Sequence, residues 1–228
     1  MIHDQNEDLS RPRRFAGALA SELFDLLRKD VVAIPSEACT YWATIESARD
    51  TSLGVAMASL ARHIRPLESF IGVEMWVRTK PCHEEMPLHF DKDETLAKQS
   101  GVLRFPAYSS VLYLTDEGGP TLVVDRQRVG EREVEIRYTS MPSANAFLVF
   151  PGHLLHGVLA EPERVGTSDG ASRRRISLLM NWWTTRPLFP ACADLPVRTF
   201  TKVGQRRVWE CLPQRTDLRT TSDLKSPY

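Results

Sequence analysis

From Ser69 to Trp183 the chain is a succession of short apolar segments broken by turn signals, and this limits its fold more than any other feature. Strands are expected near Phe70–Thr79, Pro87–Phe90, Ser109–Thr115, Thr121–Asp125, Glu133–Thr139, Ala146–Phe150, Gly157–Leu159 and Arg174–Trp183. Between them stand Asp116-Glu117-Gly118-Gly119-Pro120, Val129-Gly130, Pro142-Ser143 and Pro151-Gly152, whose Gly and Pro residues punctuate regular structure. Many short strands at even spacing predict a sandwich or barrel, mainly β with flanking helices.

The first third reads differently. Phe15, Leu19, Leu23, Leu26 and Leu27 recur at helical spacing after Pro12, a residue suited to a helix start. Leu53, Met57, Leu60 and Ile64 repeat the pattern, with Thr51 or Ser52 as cap and Pro66 as stop. The expected organisation is one domain: a helical segment 1–68 packing on the core, a β core 69–212 and a polar tail 213–228. A chain of 228 residues suits one well-buried core. Glu161–Ser172, rich in Gly, Ser, Pro and charge, is expected to be an exposed loop, and the tail from Pro213 to be disordered. Internal repeats are absent.

Lys plus Arg equals Asp plus Glu at 29 each, so no net charge draws the chain to nucleic acid or an anionic membrane. The start, Met1–Asp8, lacks the basic tip and apolar run of a secretory signal, and no apolar run is long enough to span a membrane. Four scattered cysteines, Cys39, Cys82, Cys192 and Cys211, form no CxxC pair, which fits a reduced, cytoplasmic protein.

Against this scaffold His89-Phe90-Asp91 stands out. Two residues apart on a strand point to one face, so an imidazole and a carboxylate meet. A second strand ending in Phe150-Pro151-Gly152-His153-Leu154-Leu155-His156-Gly157-Val158 can bring another imidazole. Two imidazoles and one carboxylate on one side of a metal leave its other positions open, the facial arrangement of non-haem Fe(II) oxygenases. His153 competes with His156 for this part. His83-Glu84-Glu85 beside Cys82 lacks a matching Cys or His pair for a zinc site and reads as a solvated loop.

Taken in order, His89-x-Asp91, Val111-Leu112-Tyr113-Leu114-Thr115-Asp116-x-Gly118-Gly119-x-Thr121, His156-Gly157-Val158 and Arg175-Ile176-Ser177 resemble the Fe(II)/2-oxoglutarate-dependent dioxygenases, in particular the prolyl-4-hydroxylase-like branch. The resemblance covers roughly residues 70–184. It implies a double-stranded β-helix (a jelly-roll, cupin-like core) with His89, Asp91 and His156 as Fe(II) ligands at its mouth. It also implies that Arg175 pairs with the distal carboxylate of 2-oxoglutarate, with Ser177 in the Arg-x-Ser pattern beside it. A guanidinium suits the task because its planar fork takes a carboxylate bidentately. Arg175 lies 19 positions past His156 (175 − 156), longer than the family's usual interval, which keeps Arg164, Arg173 and Arg174 as competitors. The family often carries a co-substrate Tyr on the strand before HxD. That strand reads Glu74-Met75-Trp76-Val77-Arg78 here, and Tyr113 is the alternative.

The activity so implied consumes O2 and 2-oxoglutarate, releases succinate and CO2, and oxidises an unactivated C–H bond, whether by hydroxylation, desaturation or cyclisation. Asp91 fills the position that related halogenases leave open for chloride. Asn181 stands where nucleic-acid demethylases of the superfamily carry a second Arg, against a role on DNA or RNA. Trp76 and Arg78 share a strand face with Glu74, and Asn181 and Trp183 follow Arg175 on its face. They are the expected substrate contacts, fitting a small polar molecule such as an amino acid or biosynthetic intermediate. A protein side-chain hydroxylase and a non-enzymatic cupin-like metal-binding barrel are the rival readings. Oligomeric state is left open.

Overall fold

Strand β10 (Arg174–Trp183) is buried along both faces from Ser177 onward, and the reason is a three-layer arrangement. The computed structural model describes residues 10–34, 40–65, 67–129, 132–161, 173–188, 193–194, 200–203 and 220–222. In chain order these form β1 (Arg13–Phe15), α1 (Ser21–Val32), β2 (Tyr41–Ala43), α2 (Ile45–Ala48), α3 (Ser52–Ala61), β3 (Gly72–Pro81), β4 (Met86–His89) and α4 (Glu94–Ser100). Then follow β5 (Tyr108–Tyr113), β6 (Thr121–Val129), β7 (Arg132–Ser140), β8 (Phe147–Pro151), β9 (Leu155–Val158), β10, β11 (Ala193–Asp194) and β12 (Thr220–Ser222).

One sheet has the order β1-β8-β5-β10-β3-β2-β11 and the other β12-β7-β6-β9-β4. Every pairing is antiparallel except β11 with β2. From β3 to β10 the chain passes from sheet to sheet at each step except the β6–β7 hairpin, so β8-β5-β10-β3 faces β7-β6-β9-β4. That winding is the double-stranded β-helix. All eight strands expected from the turn spacing are present, with ends differing by a few residues.

Period two divides the large sheet's side chains between two cores. Val73, Met75, Leu112, Phe147, Leu178, Met180 and Trp182 face helices α1 and α3, packing with Leu27, Leu53, Met57 and Leu60. Val111, Tyr113, Leu148, Phe150 and Leu179 face the small sheet and meet Val123 and Tyr138.

The first third holds strands as well as helices. No helix starts at Pro12: Arg13–Phe15 pairs with β8, and the first helix begins at Ser21. The physical cause is the β7–β8 turn. Asn145, at φ 63, binds Leu19 N–H through its Oδ1 (3.0 Å) and Leu19 C=O through its Nδ2 (2.7 Å). Phe15 stacks on His63 at 4.3 Å between centroids. These tertiary contacts hold 13–19 as a short strand and a turn in place of a helix. The second helix has the expected Thr51 cap, while Pro66 and most of the expected 161–172 loop lie outside the described residues. Most of the tail also lies outside them, but Thr220–Ser222 is not disordered: it pairs with β7. No described helix is long and apolar enough to cross a membrane.

The hydroxyl of Thr51 accepts from Gly54 N–H (3.2 Å) and donates to Ala48 C=O (2.6 Å), in a 4% exposed position. Thr51→Ala should therefore lower unfolding free energy in urea by about 1 kcal/mol, with Thr51→Ser retaining most of the stability.

Candidate metal centre

Strand β4 carries one residue more than β9 offers it. Met86 pairs with Val158 and His89 with His156, so three steps on β4 match two on β9. This bulge sets the imidazoles across from each other, with ring centroids 4.4 Å apart, and leaves Leu88 45% exposed. Gly157 permits the close approach: a Cβ there would lie 2.5 Å from Met86 O. Asp91 is not on the strand itself but just past its end. Its neighbour Asp93 caps α4 and is gripped by Arg104 and by Leu188 N–H (2.7 Å), which anchors the segment.

The donor atoms converge. His89, Asp91 and His156 each offer one ligand atom within 4.8 Å of the others. His156 Nε2 lies 3.3 Å from Asp91 Oδ2 and His89 Nε2 lies 3.9 Å from Asp91 Oδ1. On the far side of each ring Nδ1 meets a backbone carbonyl, Pro87 O at 2.9 Å and Leu154 O at 3.2 Å. A carbonyl only accepts, so each Nδ1 carries a proton and the neutral form of each ring keeps its lone pair on Nε2, the atom that would bind a metal. Ser109 Oγ donates to Asp91 Oδ2 (2.9 Å) and fixes the carboxylate. His153 is exposed and outside this cluster.

Charge in the centre follows from burial and proximity. Burial opposes ionisation of Asp91, but the hydrogen bond and charge of His156, with Ser109, outweigh it and hold the carboxyl below its usual range. Burial likewise opposes protonation of His156, and the bond to Asp91 overcomes it, raising that imidazole. His89 has no such close partner; burial and the neighbouring His156 lower it.

A cavity open to solvent is lined by both His156 and Arg175. Arg175 is 7% exposed; it donates to Thr121 Oγ1 (2.8 Å) and Gly119 O (3.2 Å) and lies 5.5 Å over the Tyr113 ring. No carboxylate among the described residues pairs with it, and burial lowers its pKa. Gly118, at φ +97, leaves room for it, since a Cβ would come within 2.8 Å of Arg175 Cβ. Ser177 lines the same cavity with its buried Oγ unpartnered.

The other arginines point elsewhere. Arg173 pairs with Glu117 and Glu161, Arg174 is exposed, and Arg164 lies outside the described residues. Cys82 can meet Glu117 and Glu161, but Arg173 already neutralises those acids. His83 joins no ligand cluster among the described residues, and Glu84 pairs with Lys80 at 2.5 Å.

Of the remaining expected contacts, only Arg78 lines the cavity. Tyr113 is fully buried and its hydroxyl is shared between Thr121 Oγ1 (2.8 Å) and Ser140 O (3.2 Å), so it buttresses the Arg175 cradle. Trp76 packs between the sheets, while Asn181 and Trp183 both donate to Glu74. Thr121 closes the Gly118-Gly119-x-Thr121 motif, where sequence gave it no role, and Ser109 carries no local signal.

No family model and no curated protein matches the sequence. Solved structures similar to it include a Pseudomonas putida prolyl-4-hydroxylase (17% identity, 76% of this chain and 88% of that one, TM-score 0.43). Others are HygX from Streptomyces hygroscopicus with nickel and 2-oxoglutarate bound (12%, 77% and 83%, 0.45) and a 2OG-Fe(II) oxygenase family oxidoreductase from Burkholderia pseudomallei (13%, 75% and 84%, 0.45). The structural matches are to 2-oxoglutarate/Fe(II) oxygenases.

In the metal-free protein, histidine ring NMR should show His156 titrating above 6.5 and His89 below it. Because the folded His156 value is raised, the stabilisation from its pair with Asp91 is full below the unfolded value and declines as pH climbs through the folded one. The Asp91 contribution has the opposite sign and disappears as pH falls through its depressed value.

Proposed function

We propose that this chain is an Fe(II)- and 2-oxoglutarate-dependent oxygenase that oxidises a C–H bond of a small molecule. The observation that carries this reading is one cavity lined both by His156 of the donor cluster and by the buried Arg175, with which no carboxylate among the described residues pairs. Two neutral nitrogens and one carboxylate oxygen on one side suit a ferrous ion and leave its other positions free. When bound, such an ion supplies O2 activation, with electrons drawn from the oxidative decarboxylation of 2-oxoglutarate to succinate.

The protein's own residues do the rest. The carbonyls of Pro87 and Leu154 hold both imidazoles in the metal-binding tautomer, and Asp91 stays ionised to meet a cation. Arg175 and the free Ser177 hydroxyl take the distal carboxylate of the co-substrate, replacing a costly lone charge by a hydrogen-bonded pair. Thr121, which holds Arg175, stands opposite Val158, two residues from His156 along β9 and so about 7 Å away. A short dicarboxylate spans that interval. Val111, Leu179 and Met86 line it and limit water.

Anaerobic addition of Fe(II) and 2-oxoglutarate should produce a weak visible charge-transfer band, and admission of O2 should yield succinate; a folded protein giving neither is not this enzyme. His89→Ala and Asp91→Ala should lose both signals. Arg175→Ala should weaken 2-oxoglutarate binding by about 2–5 kcal/mol, as for one partner removed from a buried charge pair. Unchanged co-substrate affinity in that variant would remove Arg175 from the role.

A further inference from the structure

Past the metal centre, on the same face of the large sheet, stands a set of acceptors that neither the ion nor the co-substrate engages. Register places Trp42 on β2, Glu74 on β3, Asn181 on β10 and Ser109 on β5 in one cross-strand row. Residues in one row project to the same side, and neighbouring strands lie about 4.8 Å apart, so the Glu74 backbone is about 10 Å from that of Ser109. Ser109 is the residue that holds Asp91. Glu74 therefore faces the space beside the ligand triad.

Its chemistry is one-sided. Glu74 Oε2 accepts from Asn181 Nδ2 (3.3 Å) and Trp183 Nε1 (3.2 Å), while Oε1 receives no bond from any described residue. Asn181 is 3% exposed and its Oδ1 has no partner. No cation among the described residues pairs with Glu74. Burial, with Asp91 and Asp93 nearby, lifts its pKa to about 7. The fully buried Trp183 and the ring of Trp42, which occupies the space a Cβ on Gly72 would need, supply apolar walls.

One buried acceptor without a partner, Asn181 Oδ1, beside a carboxylate that no described cation pairs with, calls for a group with several donors, no acceptor and a positive charge. An ammonium has three donors and no lone pair. We propose that Glu74 and Asn181 bind the protonated amino group of the molecule oxidised at the His89–Asp91–His156 centre. This rests on the oxygenase reading above and specifies its substrate class as an amine. A carboxylate or a neutral ether in that place would leave Asn181 Oδ1 unsatisfied, and the carboxylate would add repulsion from Glu74.

Succinate release by the Fe(II)-loaded enzyme with 2-oxoglutarate and O2 tests it. The probes are small amines and amino acids, each beside its N-acetyl derivative, and a lysine-containing peptide beside its Nε-acetyl form. Free amines should stimulate turnover about tenfold or more above their acetylated partners, the discrimination expected for a charged hydrogen bond. Stimulation by the small amines identifies a metabolite as the source, and stimulation by the lysine peptide alone identifies a protein side chain. Glu74→Gln should raise KM for the stimulating amine by about tenfold or more and change kcat less. Equal stimulation by acetylated and free forms, no stimulation by any amine, or an unchanged KM in Glu74→Gln overturns the assignment. The anaerobic charge-transfer band of the wild-type protein separates the two readings: a band without amine preference removes only the amine, and no band removes the oxygenase.

Discussion

The extra residue in β4 is the constraint on which the site depends. With regular pairing, Leu88 would stand opposite His156, and His89 would turn to the other side of the sheet. The bulge restores His89 to the face where Asp91 and His156 meet. An edge strand tolerates it, because β4 pairs with β9 alone and Pro87 has no N–H to lose from a ladder. The same local backbone supplies Pro87 O, which selects the His89 tautomer. One irregularity thus controls both the direction and the protonation of a ligand.

The layers explain why that centre is stiff. The large sheet is buried on both faces, with Trp182 and Leu178 against the helices and Leu179 and Ser177 toward the small sheet. Strand β10 carries Arg175 and Ser177 in such a wall, so the guanidinium is aimed before any ligand arrives. Its hydrogen bonds go to Thr121 and Gly119, and it has no counter-ion among the described residues, which low-polarity surroundings make costly. Charge is separated along the cavity: anionic Asp91 near His156, cationic Arg175 at the other end.

Much of this was legible from residues. Turn chemistry such as Gly118-Gly119-Pro120 located the strands, and alternation put Arg175 and Ser177 on one face with Arg174 on the other. The pattern failed for Phe15 and Leu19, where helical spacing lost to tertiary bonds from Asn145, 126 positions away. The resemblance offered Tyr113 as an alternative co-substrate contact, and its hydroxyl meets Thr121 and Ser140. For Leu19 the deciding partner came from a turn far along the chain, and for Tyr113 from the facing sheet.

What the residues alone determined is the set of faces and donors: two imidazoles and a guanidinium on strands of known alternation, with a carboxylate two residues past one imidazole. A local pattern states which side a residue takes because backbone geometry repeats every second residue. It cannot state which strand lies opposite, or in what register. Only the folded chain decided that His89 meets His156 and that Glu74 receives Asn181 across 107 positions. Those pairings are set by the competition of whole sheets for burial, to which every strand contributes at once.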